Sequence, residues 1–483
     1  MSELPKEFEG LTIKDHKDLW PSKPEERTTG TLSYTLMVLS MAITTSIFFL
    51  GWLSQILGLN LAETVVAAFI GNAVVALIMY FNGIPGVKYG IPFPVQLRPA
   101  FGHKGSILPL VIRAIVSIFW YGIDGYIAAW AITEMALIIA GKPADWVVEN
   151  GLKYTPITFI VYLAFVWAFG YKRIKGIKYL DTVAGPLLMI FFAWFTIYLA
   201  RLPGLPGHIP GWTEGGVGWT SSNFFLMIAV QTAWWSTIAL NVSDLTRFNK
   251  SVSSLPVAHI LGLIVPQVIG TVLGFIATSL TGGIHSPIDI IAKYTPNAAV
   301  AFFGLLFATL ATGSTNVTGD VPAATNAVIR IARVRWEMAV TIATILAWIV
   351  IGPYSIYNWK KSLDVAYTLL NFNWYYSMWL GPIAGIMVMD YWVIRKRQYD
   401  LKDLYEFSPK SKYWYSGGIN WIGVISLVLG ILIEYVIAAA QGNMQYYYGI
   451  PVPGIELTWY YGFFLSAIIY LVLCYAMKKY AKI

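Results

Sequence analysis

Apolar runs of about 20 residues recur from near residue 31 to the end of the chain, separated by short polar segments. A helical run of that length crosses roughly 30 Å of hydrocarbon. The pattern predicts twelve helices, at 33–54, 62–83, 106–140, 156–171, 180–201, 222–244, 256–281, 297–330, 336–356, 364–393, 419–440 and 457–477. The starts of the first five are matched by the next five at offsets between 180 and 194 residues, so ten helices read as two copies of five. An odd number of helices per copy inserts the second upside down. That is the inverted-repeat plan in which a binding site lies at the midplane between the copies. The expected fold is an all-α membrane protein with twelve transmembrane helices, a five-plus-five inverted repeat and two C-terminal helices. Its divisions are a tail at 1–30, a first repeat at 31–205, an inverted second repeat at 206–400, and two extra helices with a tail at 401–483.

Composition agrees: 57% of the 483 residues are hydrophobic and 12% charged, against roughly 25% charged in soluble proteins. The net charge of +8 looks at first like a nucleic-acid signal, but the placement of the basic residues explains it otherwise. Twenty-six of the 33 Lys and Arg fall on the side that holds both chain ends, six on the other, and Arg113 lies inside the third helix. By the positive-inside rule both termini are expected in the cytoplasm of a multi-pass cell-membrane protein, with the lipid bilayer and not nucleic acid as its large-scale partner. The first 30 residues are highly charged and lack an apolar core, so no cleaved signal peptide is expected and the first helix should direct its own insertion. The single cysteine, Cys474, sits in the last apolar run, which leaves no intrachain disulfide and no cysteine metal site.

Polar residues at membrane depth carry the chemistry. A charged side chain at a helix centre costs about 2.5–3.5 kcal/mol on insertion, so each one requires a reason. Asp124 lies in the middle of the third helix with Trp120 one turn before it on the same face. In the eighth helix Ser314, Thr315, Asn316 and Asp320 cluster with Gly313 and Gly319, and Asp320 shares a face with Asn316. Helices 3 and 8 are counterparts in the repeat, so the two acids can face one cavity. The bland alternatives are helix-to-helix hydrogen bonds, or an Asp124 paired with Arg113. In helix 1, Ser40 and the run Thr44, Thr45 and Ser46, and in helix 6, Gln231, Thr232, Ser236, Thr237 and Asn241 around Trp234 and Trp235, mark stretches where a helix can unwind and free carbonyls for a cation. Most of the 20 Trp and 30 Tyr are expected to pack or to form interfacial belts. Trp120 and Trp235 differ in sitting mid-helix beside polar groups, suited to holding a flat ring between two aromatic faces.

Two apparent glycosylation motifs, Asn241-Val-Ser243 and Asn316-Val-Thr318, fall at membrane depth, and no Gly-rich phosphate loop with its Lys is present. A membrane-embedded enzyme would need a nucleophile and base or a metal set at one depth, and a channel a continuous polar stripe. Neither fits, so the chain is not expected to be an enzyme.

At this point the sequence resembles the nucleobase:cation symporter-1 family, over about residues 20–420. The resemblance rests on LRPAFGHKGSILP before helix 3, FWYG within it, ALNVSDLTRF leaving helix 6, ATGSTN in helix 8, and LGPIAGIMVMDYW with IRKRQYDLKDLY after helix 10. It implies the five-plus-five fold with two extra helices. It implies a planar heterocycle sandwiched by Trp120 and Trp235, and a sodium site drawing on Ser40 and Ile43 of helix 1 and Ala311, Ser314 and Thr315 of helix 8. Asn316 would link ion site and substrate site. Departures from the family pattern are Thr44 and Asp124 where it places glutamines, Asp320 for an asparagine, and Trp234 for a glycine. An amide both donates and accepts hydrogen bonds, whereas an ionised carboxylate only accepts. The expected cargo is therefore a ring rich in N–H groups or carrying positive charge, such as an aminopyrimidine, a purine or a thiamine-like cation.

The expectation is a secondary active importer of a planar nitrogen heterocycle that works by sodium symport and alternating access and is functional as a monomer. Asn373, Trp374, Tyr375 and Tyr376 of helix 10 would form a lid. Proton coupling is the alternative, since one of two neighbouring buried acids can carry a proton. An amino-acid transporter of the same fold is a more distant one.

Overall fold

In the computed structural model, residues 8–172, 174–283, 286–358, 360–448 and 456–478 are described. Among them, eleven helices are long and apolar enough to cross a membrane, and a bent pair supplies a twelfth span. The spans are α1a and α1b (Thr31–Ala42 and Thr45–Ile56), α2 (Leu61–Tyr89), α3 (Ile107–Ile139), α4 (Ala144–Tyr171) and α5 (Ile174–Arg201). They continue with α6 (Ser222–Asn241), α7 (Ser254–Leu280), α8 (Ala298–Ala332), α9 (Trp336–Asn358), α10 (Ser362–Ile394), α11 (Trp421–Tyr448) and α12 (Thr458–Ala476). The all-helical, twelve-span expectation holds.

The largest boundary error is at α4, which starts at Ala144 and not at 156. Pro156 reads as a helix start because it lacks an N–H, yet it lies inside α4. The carbonyl it leaves without a donor, that of Leu152, accepts instead from the Tyr126 hydroxyl of α3 at 3.4 Å. The short helix Pro287–Tyr294 between α7 and α8 was below the length the apolar pattern could register.

Where the sequence pattern anticipated unwinding, the two counterpart helices differ. Helix 1 breaks at Ile43 and Thr44, both in extended conformations, and its halves bend by 50°. Helix 6 does not break in its polar stretch: α6 is continuous to Asn241. Its polar groups have other partners. Gln231 accepts from the amide of Asn72 on α2 at 2.9 Å and donates to Thr271 on α7 at 3.3 Å. Ser236 returns its hydroxyl to the Ala233 carbonyl at 2.9 Å, so the segment is tied into the bundle without losing helical bonds.

Helix 8 carries a different distortion, one wide turn over Asn316–Asp320 in which the Val321 N–H reaches back to Asn316. Pro322, next in the chain, cannot donate to the Thr318 carbonyl, and widening the turn accommodates that loss. Close helix approach is secured by small residues. A Cβ at Gly51 of α1b would run into the backbone of α7 at Thr271 and Phe275, so only glycine fits.

Candidate functional site

Trp120 and Asp124 on α3, Trp234, Trp235, Thr237 and Ile238 on α6, and Thr315, Gly319 and Asp320 on α8 line a single cavity. Helical spacing sets the α3 contribution, one turn separating ring and carboxylate. On α8 the wide turn over Asn316–Asp320, closed by an i→i+5 hydrogen bond, carries Gly319 and Asp320 at the space that α3 and α6 border. Both Trp120 and Trp235 are 3% exposed, so neither faces lipid. Only about 10 Å³ of the cavity is open to the centre of a water molecule, the room that one water needs.

Trp234 packs directly on Trp120, with ring centroids 4.8 Å apart and planes at 59°. Phe372 and Tyr376 of α10 meet Trp120 edge-on at 5.6 and 6.2 Å. The Tyr376 hydroxyl donates to the Ala233 carbonyl at 2.6 Å, which pins α10 across α6. Of the four residues expected to form a lid, Asn373 and Tyr376 are buried, whereas Trp374 is half-buried and Tyr375 is 54% exposed. Of the four, Tyr376 meets a cavity-lining ring, and Asn373 stands behind it, accepting from the Tyr376 hydroxyl at 2.8 Å.

The acids are held differently. Asp320 accepts from the Asn316 amide at 3.1 Å, Asn316 accepts from the Tyr162 hydroxyl at 2.7 Å, and the Asp320 carbonyl accepts from Ser117 of α3 at 2.7 Å. Asp124 lies beside Ser46 of α1b, and its Oδ1 has no hydrogen-bond partner. The alternative in which Asp124 pairs with Arg113 does not occur. Arg113 donates to the Thr237 carbonyl at 2.9 Å and to Asn241 Oδ1 at 2.9 and 3.1 Å, and the carboxylates that act on it through space are Asp320 and, more weakly, Asp244.

Thr44 and Asn316 do not line the cavity; each stands one link behind it. The Thr44 hydroxyl lies 3.3 Å from that of Ser46, itself beside Asp124, and donates to Thr312 at 3.2 Å. At the helix 1 break the Thr315 hydroxyl donates to the Met41 carbonyl at 2.8 Å, and Gln267 of α7 caps the Ala42 carbonyl at 2.8 Å. Because the Ile47 N–H turns to Thr44 at 3.2 Å, the Ile43 carbonyl loses its intrahelical donor. Ser40 contacts α5, where the Gly185 N–H donates to its hydroxyl at 3.4 Å. Ala311 accepts from Thr315 at 3.3 Å, and Ser314 is buried on the same turn. The oxygens that meet beside the cavity are thus the Met41 carbonyl of α1a and the Thr315 hydroxyl and Ala311 carbonyl of α8. Among the described residues there is no group of three or more His, Cys, Asp or Glu arranged for a metal ion.

Sequence reasoning passed over Thr312, Tyr162 and Phe372. Thr312 was detectable, being three residues before Thr315 in the same polar run. Phe372 stands between Asn371 and Asn373, next to the run expected to form a lid, whereas Tyr162 lies in an ordinary apolar stretch and is recruited only by tertiary packing.

A twelve-span fold with a broken first helix, a widened eighth and a buried aromatic and acidic pocket among α3, α6 and α8 defines a multi-pass membrane transporter. The chain belongs to the family of permeases for cytosine/purines, uracil, thiamine and allantoin, whose profile matches residues 21–465. It is 28% identical to a purine-uracil permease of Arabidopsis thaliana over 434 residues, covering 86% of this chain and 70% of that one. It is 26% identical to the allantoin permease of Bacillus subtilis, covering 81% and 79%, and 22% identical to a hydantoin permease of Microbacterium maritypicum, covering 86% and 83%. The fold matches that of a nucleobase-cation-symport-1 family transporter solved in a closed conformation with bromovinylhydantoin bound, at a TM-score of 0.77, 20% identity and 96% coverage of both chains.

Proposed function

We propose that this permease imports a planar nitrogen heterocycle by sodium symport through alternating access, with Trp120, Asp124, Trp234, Trp235 and Asp320 forming the substrate site. The observation that carries the reading is the convergence of three indoles and two carboxyls, from helices in both halves of the chain, on one cavity. Indole faces bind flat rings, and carboxylates select N–H donors or positive charge. Thr44 and Asn316 hold the acids in place from behind. Sodium is carried on Ser40, Ile43, Ala311, Ser314 and Thr315, where it competes with the Thr315 to Met41 hydrogen bond that now joins α8 to α1. Binding the ion in one state and not the other biases the conformational equilibrium, which is how its gradient drives uptake.

The division into repeats at 31–205 and 206–400 with two extra helices at 401–483, the placement of both termini in the cytoplasm of the cell membrane, and function as a monomer belong to the same reading. Proton coupling is the second reading, and the unpartnered Oδ1 of buried Asp124 favours it. Uptake of radiolabelled nucleobases into proteoliposomes separates them. Accumulation driven by an inward sodium gradient at constant pH supports the first. Accumulation driven by a proton gradient and indifferent to sodium supports the second.

A further inference from the structure

A second cavity, of about 330 Å³, lies away from the substrate pocket, at the end of the spans where Lys and Arg concentrate. It is formed by His16 and Lys17 of the N-terminal tail, Tyr171 at the end of α4, and Arg335 and Glu337 at the start of α9. Lys17 and Arg335 are exposed, and Lys172 and Arg333 adjoin the lining in sequence. Arg333 adopts a left-handed conformation (φ 55°) that ends α8 and turns the chain into Arg335. The acidic residues nearby already have partners within the protein: Asp18 lies 3.2 Å from His16 Nδ1, and Glu337 has a partner of its own.

The surface that runs from this cavity toward the membrane is apolar and exposed. Trp167 of α4 donates its indole N–H to Thr341 of α9 at 3.0 Å, which ties the two helices together along their exposed seam. Trp167, Met338 and Ile345 line its lipid-facing side, at 36%, 52% and 51% exposure. Two exposed cations, Lys17 and Arg335, at a cavity above an exposed apolar seam, with Tyr171 and Trp167 at interfacial depth, match the two ends of a phospholipid and not a free anion.

We propose that this cavity binds the phosphate-bearing headgroup of an anionic phospholipid, with the acyl chains along the α4–α9 seam. The headgroup bridges the tail, through Lys17, to α9, through Arg335. The tail is anchored nearby through Asp15, which pairs with Arg98 at 2.6 Å, so occupancy stabilises the docked tail. The site is independent of the transported substrate.

The test uses purified full-length protein stripped of lipid in neutral detergent and titrated with phosphatidylglycerol, with phosphatidylcholine, or with inorganic phosphate. Bound lipid is counted by native mass spectrometry and the unfolding temperature is followed in parallel. Phosphatidylglycerol should bind and raise the unfolding temperature. The Lys17→Ala/Arg335→Ala protein should bind it about 30-fold more weakly, the scale of two surface cations each meeting a lipid charge. Arg335→Lys should retain binding, and Lys360→Ala/Lys361→Ala at the other end should match the wild type. Both altered residues of the test variant are exposed, so it should fold. Equal binding of phosphatidylcholine, full stabilisation by inorganic phosphate alone, or undiminished phosphatidylglycerol binding by the double variant would overturn the proposal.

Discussion

The side-chain amide of Asn316 donates to the carboxylate of Asp320 at 3.1 Å while its oxygen accepts from Tyr162 at 2.7 Å, which fixes which end of the amide faces the acid. The carboxylate is thereby presented to the cavity as an acceptor. Asp320→Asn would keep the shape but place an amide against an amide. Hydrogen bonds to charged groups contribute about 1.5–3 kcal/mol, so the substitution should weaken a ring rich in N–H groups by about 10- to 100-fold. Isothermal titration with an aminopyrimidine or purine ligand measures this, and an unchanged affinity would remove Asp320 from the site.

Trp234 fills space beside Trp120 at a 4.8 Å ring separation. Trp234→Gly should enlarge the cavity and admit rings with bulky substituents, whereas Trp120→Ala should lose at least about tenfold in affinity for any planar ligand, since a stacked aromatic pair contributes about 0.5–1.5 kcal/mol beyond its buried area. Competition binding with a series of substituted heterocycles tests both. The size preference should shift in the first variant and no preference should survive in the second.

Thr315 joins α8 to the Met41 carbonyl of helix 1. Thr315→Ala removes the hydroxyl and should abolish the sodium dependence of substrate binding, with Thr315→Ser restoring it. Tryptophan fluorescence titrations at several sodium concentrations give the readout. Sodium dependence intact in Thr315→Ala would place the ion elsewhere.

His103, in the connection between α2 and α3, is fully buried beside Arg98, Asp15 and Arg330, and burial followed by the Arg98 charge pushes its pKa down from 6.5 to about 3. The unfolded chain therefore takes up a proton below about pH 6.5 that the folded protein refuses, so stability falls as pH drops from 6.5 toward 3. By about pH 5 the loss from this one group is about 2 kcal/mol. Thermal unfolding should show a smaller acid-induced drop in His103→Gln than in the wild type between pH 7 and 5, and identical slopes would exclude His103 as the cause.

Much of this was legible in the chain because hydrocarbon is an exacting solvent. Twelve apolar runs gave the spans, and Asp124 and Asp320 stood out because an acid at that depth is expensive without a role. The break in helix 1 was legible from Thr44, Thr45 and Ser46, whose hydroxyls can replace backbone partners. The same logic failed for helix 6, because Gln231 spends its hydrogen bonds on Asn72 and Thr271. That depends on what α2 and α7 bring alongside, which periodicity does not encode. Tyr162 was hidden for the same reason, and Pro156 misled because the hydroxyl that compensates for it belongs to Tyr126 on another helix.

The most direct measurement is a binding screen of the purified protein against nucleobases, hydantoins, allantoin, thiamine and pyridoxine, with and without sodium, repeated on Trp120→Ala and Asp320→Asn. A planar ligand should bind more tightly with sodium than without it, and more weakly to both variants than to the wild type. A best ligand that binds both variants as well as the wild type would contradict the proposed site.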